Sequence, residues 1–253
     1  MSNEPNNSID LLGIKGFGDS AKIITQGVVD GAGALLSRIC LPAAEELGEF
    51  FRDPIKNWRL KKLVTVAEKA RPQIEEREKV EGSIRAPASI GIRVIESASM
   101  VEDEALQNMW AGLLVSSCTP AGTDESNLLF VNMVSAFSPA QARLFDWIAK
   151  ECPKVRDKHG IVQGDHFNPS AEDLLKHGQI PDLGQLDAEL SGLFAAGLFH
   201  KNLEGSTAAA CKGLSSLGVT LSLRVLGKRG NPFEHFDAPV RTVGTHAPPA
   251  VWG

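Results

Sequence analysis

The sequence has few cysteines, no long apolar run and no start that resembles a leader sequence. The 253 residues contain four cysteines, scattered without the paired spacing of a zinc site: Cys40, Cys118, Cys152 and Cys211. They are too few for a secreted disulfide scaffold, so we expect reduced thiols in a cytoplasm. No stretch reaches the roughly 18 apolar residues of a spanning helix. The opening MSNEPNNSID lacks the charged and apolar regions of a secretory signal.

A positive net charge is also lacking. The formal net charge is -5, which disfavours a dedicated nucleic-acid binder because neutralising phosphates requires a basic field or patch. The hydrophobic content of 43% and the charged content of 23% are those of an ordinary globular protein, so general disorder is not expected. We therefore expect a folded cytoplasmic protein, with the surface of the inner membrane as its other candidate location.

Catalytic motifs are missing as well. There is no His-Glu-x-x-His, no nucleophile elbow and no dinucleotide fingerprint. The glycines of GIKGFGDSAK lack the Gly-Lys-Ser/Thr core of a phosphate loop. His159, Asp165 and His166 could gather around a metal, but isolated residues in polar loops are more typical of solvated side chains. We predict no catalytic residue, no cofactor and no metal, and a protein that is not an enzyme.

Helical periodicity is what the sequence does contain. It predicts a mainly α fold, in which an N-terminal helical bundle is followed by a small winged-helix-like α+β domain. The predicted parts are a flexible tail (1–16), a helical region with a Gly-rich N-terminal arm (17–136), a winged-helix-like domain (138–229) and a Pro/Gly-rich tail (230–253).

Start and stop signals place the individual helices. A long amphipathic run extends from residue 41 to about residue 80, and Pro72 should kink or split it. Ser99 and Glu102 have capping-box spacing before the helix in DEALQNMWAGLLVSS. Ser138 and Ser170 are predicted to begin two further helices, and LGQLDAELSGLFAAGLF forms a third.

A hairpin after these three helices would complete the order of a winged helix. Strands are predicted around a turn at Glu204 and Gly205, whereas LSSLGVTLSLRVLG fits a strand or a helix equally well. The outward face of the third helix carries no Arg or Lys to hold phosphate or read guanine. We therefore expect this domain to serve in packing or oligomerisation rather than in reading DNA bases.

The predicted interaction site lies in residues 20–62. Small residues there would allow like helices to approach closely, and an apolar stripe adjoins a basic cluster with aromatic neighbours. The residues assigned to this membrane or partner contact are Ile24, Val28, Leu35, Ile39, Phe51, Arg52, Lys56, Trp58, Arg59 and Lys62. The other interpretation, a stripe packed on the protein's own core with a solvated basic flank, stays open.

Four blocks of the sequence resemble those of a known family. They are LPAAEELGEFFRDPIKNWRLKKLVTVAEKA, VIESASMVEDEALQNMWAGLLVSS, FSPAQARLFDWIA and GLSSLG, and together they span about residues 35–227. These blocks resemble the Abi-alpha (abortive infection alpha) family of bacterial proteins. The resemblance implies a mostly helical cytoplasmic protein of phage defence, in which an infected cell stops growing or dies. It implies no catalytic residues.

Two functions are favoured by these observations, and a nuclease or a nucleotide-dependent enzyme is a third option. The first is a non-enzymatic antiphage effector, a toxin whose amphipathic Gly-rich helix acts at a membrane after assembly of several copies. The alternative is a sensor or regulator module that binds a phage protein or a neighbouring defence protein. A second copy of the chain, such a protein and a peripheral membrane surface are the expected partners, and nucleic acid is not.

Overall fold

The fold is known from a computed structural model, which describes residues 31–40, 56–165, 167–200 and 213–240. It is mainly helical, as the sequence predicts, and includes a small two-stranded sheet. A helical segment, residues 31–39, precedes the other elements. These are α1 (Lys56–Glu81), α2 (Ala88–Ala98), α3 (Glu104–Ser117), α4 (Leu128–Ser135), α5 (Pro139–Glu151), β1 (Lys154–Arg156), β2 (Val162–Gly164), α6 (Ala171–Gly178), α7 (Leu183–Ala195), α8 (Ser216–Val225) and a 3-10 helix (Pro232–Glu234).

Helix α3 is the centre of the fold. Eleven of its residues are buried, including the whole run from Met109 to Ser117. It packs against α1, α2, α4, α5 and α8. Such all-round burial agrees with its composition, since a helix that is apolar on every side belongs in a core. Trp110, which is 1% exposed, is the largest side chain there.

The start of α3 differs from its prediction. The N-cap is Asp103, whose carboxylate accepts from the backbone N–H groups of Ala105 and Leu106. The predicted capping box of Ser99 and Glu102 is therefore wrong. Ser99 instead ends α2 as its C-cap. An aspartate bonds the free N–H groups with a full negative charge, which also suits the positive end of the helix dipole.

Helix α1 continues through Pro72 to Glu81, so the predicted split does not occur. Proline removes the hydrogen bond to the carbonyl four residues earlier, here that of Glu68. Both Pro72 and Glu68 are exposed, so the carbonyl left without its donor lies on the solvent side of the helix. Ala70 and Ile74, on the opposite side, are fully buried and keep this part of the helix attached to the core.

The second half of the chain begins with predicted caps and an unpredicted hairpin. Ser138 forms a capping box with Gln141, and Ser170 accepts from the N–H of Asp173. Between α5 and α6, β1 and β2 pair antiparallel, with Val155 opposite Gln163. Three-residue strands around a polar turn carry too little periodicity to be recognised in advance.

The predicted turn at Glu204 and Gly205 lies outside the described residues. On either side of it, Phe199 and Leu214 form an antiparallel bridge, and the N–H of Gly164 donates to the carbonyl of Leu214. The ambiguous segment after this bridge is helix α8, which begins at the cap of Ser215. Five of its residues, Gly218, Val219, Leu221, Ser222 and Leu223, are buried. They point to more than one face of the helix, so neither a strand period nor a single helical stripe describes this segment.

Helices α3 and α8 cross at Gly112. A Cβ added at Gly112 would overlap the backbone carbonyl of Val225, an atom that cannot rotate away. We predict that Gly112→Ala lowers the free energy of unfolding by about 2–3 kcal/mol, because the two backbones must separate to admit the methyl group. Urea denaturation followed by circular dichroism measures the change.

Gly184→Ala is the matched control for this substitution. Gly184 also lies in a helix, but the atom nearest to its added Cβ is a side-chain atom, the N-cap oxygen of Asp182, which at 3.2 Å has to shift by only a few tenths of an ångström. We expect this variant to change stability by less than about 1 kcal/mol. Equal effects of the two substitutions would show that the crossing does not depend on Gly112.

Candidate interaction site

The predicted site residues divide into three groups. Ile24, Val28, Phe51 and Arg52 lie outside the described residues, as does the side chain of Lys56. Leu35 and Ile39 lie in the helical segment 31–39, and Trp58, Arg59 and Lys62 lie in the first turns of α1.

The segment 31–39 places its apolar stripe on the core. Leu35 and Leu36 are each 4% exposed, and Ile39 is completely buried. Together with Ala32 and Cys40 these residues occupy positions i, i+3, i+4, i+7 and i+8, one face of a helix. In this conformation Leu35 and Ile39 therefore contact the protein itself and are not available to a membrane.

Three contacts hold the end of this segment. The carbonyl of Ile39 accepts from the N–H of Ala86 at 2.8 Å. The Cys40 side chain packs against Gly91 of α2, where an added Cβ would lie 3.3 Å from the Cys40 Cβ. Arg38 forms an ion pair of 2.9 Å with Glu78 of α1. A glycine at position 91 thus makes room for the cysteine.

The basic and aromatic residues form a separate group, which we call the Trp58 cluster: Trp58, Arg59, Lys62, Ser99 and Glu102. Trp58 is 42% exposed, and Lys62 Nζ lies 5.5 Å from the centre of its ring, within the range of a cation–π contact. Arg59 donates from Nε and Nη2 to Ser99 Oγ, at 3.1 and 2.9 Å.

One carboxylate oxygen joins Trp58 and Lys62. Trp58 Nε1 donates to Glu102 Oε1 at 3.1 Å, and Lys62 Nζ lies 3.0 Å from the same atom. The hydrogen bonds from Lys62 and Trp58 lower the pKa of Glu102. Glu102 therefore stays ionised at neutral pH, and its negative charge lies beside Trp58 and offsets the positive charge of Lys62.

The cluster and the segment 31–39 lie far apart in the described chain. Glu78, which holds Arg38, is twenty residues along α1 from Trp58. At a rise of 1.5 Å per residue this is a distance of about 30 Å. Gly31, at the other end of the segment, lies against Arg71, thirteen residues from Trp58. The described part of the apolar stripe thus lies beside the second half of α1, and the Trp58 cluster lies at its start.

Sequence reasoning misses Ser99 and Glu102 as members of the site. Their spacing fits a capping box, yet their side chains serve the neighbouring helix α1. A signal for Glu102 is present, since it belongs to the acid-rich stretch before the Trp-containing helix. The contact of Glu102 with Lys62 can be recognised only from the packing of α1 beside that stretch.

Within the described ranges, no group of three or more His, Cys, Asp or Glu side chains could hold a metal ion. Of the helices in the same ranges, none combines the length and the apolar character needed to cross a bilayer.

Burial makes Cys40 a reporter for the segment 31–39. Burial raises the pKa of the Cys40 thiol far above its usual value, and Cys118 adds to this effect. Since the thiolate is the reactive form, Cys40 should react with N-ethylmaleimide only when the segment leaves the core. We predict slow labelling in the native chain, and a two- to fivefold faster rate in Arg38→Gln, about what the loss of an exposed ion pair allows.

Mass spectrometry of the labelled peptides measures this rate. Cys152 serves as the control within the same molecule, because it is buried in the other half of the chain. Arg93→Gln is the matched control variant, since Arg93 donates to Asn132 of α4 rather than to the segment 31–39. Identical Cys40 rates in the wild type and in Arg38→Gln would contradict a role of the ion pair in holding the segment.

Comparison with known proteins gives one result. The family model described as abortive infection alpha matches residues 59–206, which is more than half of the chain. Neither the curated proteins nor the solved structures provide a significant match. The matched range includes Arg59, Lys62 and Glu102, and it begins immediately after Trp58. The segment 31–39 precedes it.

Proposed function

The chain belongs to the abortive infection alpha family, which indicates a role in abortive infection defence, and we propose that it acts there as a non-enzymatic effector at an anionic membrane surface. In this proposal the Trp58 cluster makes the first contact with the membrane. The helical segment 31–39, with Ile24 and Val28 before it in the sequence, then supplies the apolar stripe, and several copies assemble.

The observation that carries the proposal is the Trp58 cluster. Tryptophan is favoured at the interface between water and lipid, and cations beside it attract anionic headgroups. Trp58 is exposed although it lies in a folded helix, and Lys62 lies over its ring. This combination is what a peripheral membrane contact requires.

The segment 31–39 would have to leave the core in the second step. Burial of a Leu or Ile side chain contributes about 2 kcal/mol, so exposing Leu35, Leu36 and Ile39 to water costs about 6 kcal/mol. That cost is comparable with the total stability of many domains, and release into water would be rare. Transfer of the same side chains into a bilayer returns most of this free energy, so a membrane selects the released state.

A second candidate function is a sensor or regulator that binds a phage protein or a neighbouring defence protein. The burial of Leu35 and Ile39 favours it, because a segment packed on its own core needs no membrane. In this case the exposed Trp58 is the anchor for a protein partner, since tryptophan and arginine are enriched at the centres of interfaces. The two candidates differ in whether vesicles alone change the protein.

Flotation with anionic vesicles of phosphatidylglycerol tests the first contact. We predict that Lys62→Gln binds about fivefold more weakly, since one cation near such a surface contributes about 1 kcal/mol. Glu102→Gln should bind about fivefold more tightly, because it removes the negative charge beside Trp58 and Lys62. Vesicles of phosphatidylcholine, which carry no net charge, should show neither effect.

Lys150→Gln is the charge-matched control for these variants. Lys150 is an exposed lysine of α5 that pairs with Asp146, in the other half of the chain. If it weakens binding as much as Lys62→Gln does, the attraction is spread over the whole protein. If the wild type and Glu102→Gln both fail to float, the membrane proposal is wrong and the sensor candidate replaces it.

A disulfide can lock the segment 31–39 in place. An added Cβ at Gly91 lies 3.3 Å from the Cys40 Cβ. This is slightly less than the roughly 3.5–4.5 Å found in disulfides, so the bond forms after a shift of a few tenths of an ångström. We predict that Gly91→Cys, once oxidised, still binds anionic vesicles through the Trp58 cluster but releases no trapped dye. Reduction should restore leakage to the wild-type level, because it frees the segment.

Gly91→Ser is the matched control, since it has nearly the same size and cannot form the bond. It should leak dye both with and without reductant. Leakage by the oxidised Gly91→Cys protein at the wild-type rate would show that the segment stays on the core while the membrane is disrupted. Peptide mapping without reductant confirms that Cys40 is in the disulfide.

A further inference from the structure

A polar groove lies near the end of α1 that is farther from the Trp58 cluster. It has a volume of about 380 Å³ and is open to solvent. One wall is the C-terminal half of α1, and the other is the turn that follows α8. The lining residues are Gln73, Glu76, Arg77, Glu81, Gly227, Lys228, Arg229 and His235.

The turn of the groove is built to approach α1 closely. Gly227 and Gly230 have φ angles of 78° and 89°, which other residues rarely adopt. A Cβ on Gly227 would overlap the side-chain oxygen of Gln73. His235 Nε2 lies 2.5 Å from the carbonyl of Arg229 and closes the turn on its other side. The residues between the two glycines are thereby held opposite α1.

Arg77 forms the floor of the groove and has its partners already. It donates to the carbonyls of Val115 and Cys118, at 2.7 and 3.0 Å, and makes a two-point contact with Glu81 at 2.8 and 3.0 Å. The hydrogen bond from Arg77 lowers the pKa of Glu81, so this carboxylate remains ionised. Arg77 and Glu81 therefore largely neutralise each other.

Arg229 is in a different situation. Its contacts are all long: 3.4 Å to the carbonyl of Cys118, 3.6 Å to Asp124 and 3.9 Å to Glu81. A charge-assisted hydrogen bond of a guanidinium group normally measures 2.7–2.9 Å. The group is thus positioned from three sides, yet its donors could still bind a closer oxygen.

Lys228 and Arg229 are the cations of the groove that lack a close carboxylate among the described residues. Lys228 is exposed in the groove and forms no ion pair with any carboxylate of the described residues. Arg224 precedes the turn, and its Nε is buried without a hydrogen-bond partner in the described part of the chain. Burial lowers the pKa of Arg224, Asp124 opposes that effect, and Arg229 adds to it. Arg224 therefore leaves one buried donor unused, and Asp124 is shared between Arg224 and Arg229.

We propose that this groove binds a small ligand through a phosphate or carboxylate group held by Arg229 and Lys228. Gln73 and Glu76 on the facing wall can accept hydrogen bonds from the rest of the ligand. The volume is sufficient for a metabolite-sized molecule. Family membership does not imply this site, because residues 227–235 lie outside the matched range. The site is also independent of the membrane proposal.

Thermal unfolding and calorimetry at constant ionic strength test this site. The probes are inorganic phosphate and succinate, with sodium chloride as the reference, at concentrations up to about 10 mM to reach millimolar Kd values. We expect one of the two anions to raise the Tm above the chloride reference. Arg229→Gln should weaken its binding at least tenfold, since it removes a charge-assisted pair.

Lys228→Gln keeps the test valid if Arg229→Gln folds poorly, because Lys228 is exposed. It should weaken binding severalfold, and Arg93→Gln, on the surface of α2, should leave binding unchanged. A response to phosphate alone identifies a phosphate-bearing ligand, and a response to succinate alone identifies a carboxylate. The proposal is overturned if neither anion exceeds chloride, or if the wild type and both groove variants respond equally.

Discussion

The burial of α3 on every side is the constraint on which the rest of the structure depends. The end groups of a helix have no partners within the helix, so side chains must bond them wherever packing excludes water. Asp103 does so at the start of the helix, and Arg77 binds two carbonyls at its end. Asn127 donates to the hydroxyls of Ser116 and Ser117 in the last turn. The contacts of Arg77 and Asn127 also hold α1 and the start of α4 against α3.

Helix α1 contributes to two separate surfaces, one near each of its ends. Its buried face follows α3, which determines how its two ends are directed. Near its start, Trp58 and Lys62 meet Glu102 from the loop that leads into α3. Near its end, Arg77 reaches the last turn of α3 and forms the floor of the polar groove. The two surfaces therefore have different chemistry, although one helix carries both.

Sequence periodicity is sufficient for the fold class and for the caps at Ser138 and Ser170, because these depend on neighbours within a few residues. It does not reveal the short hairpin β1–β2 or the cap at Asp103, since local spacing there fits other patterns equally well. Trp58 and Lys62 can be recognised as a basic and aromatic pair. Glu102 cannot be assigned to them, because a contact across 44 positions depends on the packing of α1 beside the next loop.

Arg143 connects the two halves of the chain. It donates to Asp103 at the start of α3 and, from Nε and Nη2, to the carbonyl of Gly178 at the end of α6. Asp103 therefore both caps α3 and accepts a hydrogen bond from the other half of the chain. In evolution, a recombination that joined the first half of one relative to the second half of another would have to preserve both partners at once. Only the pair Asp103 and Arg143 depends on residue identity, because any residue at position 178 supplies the backbone carbonyl.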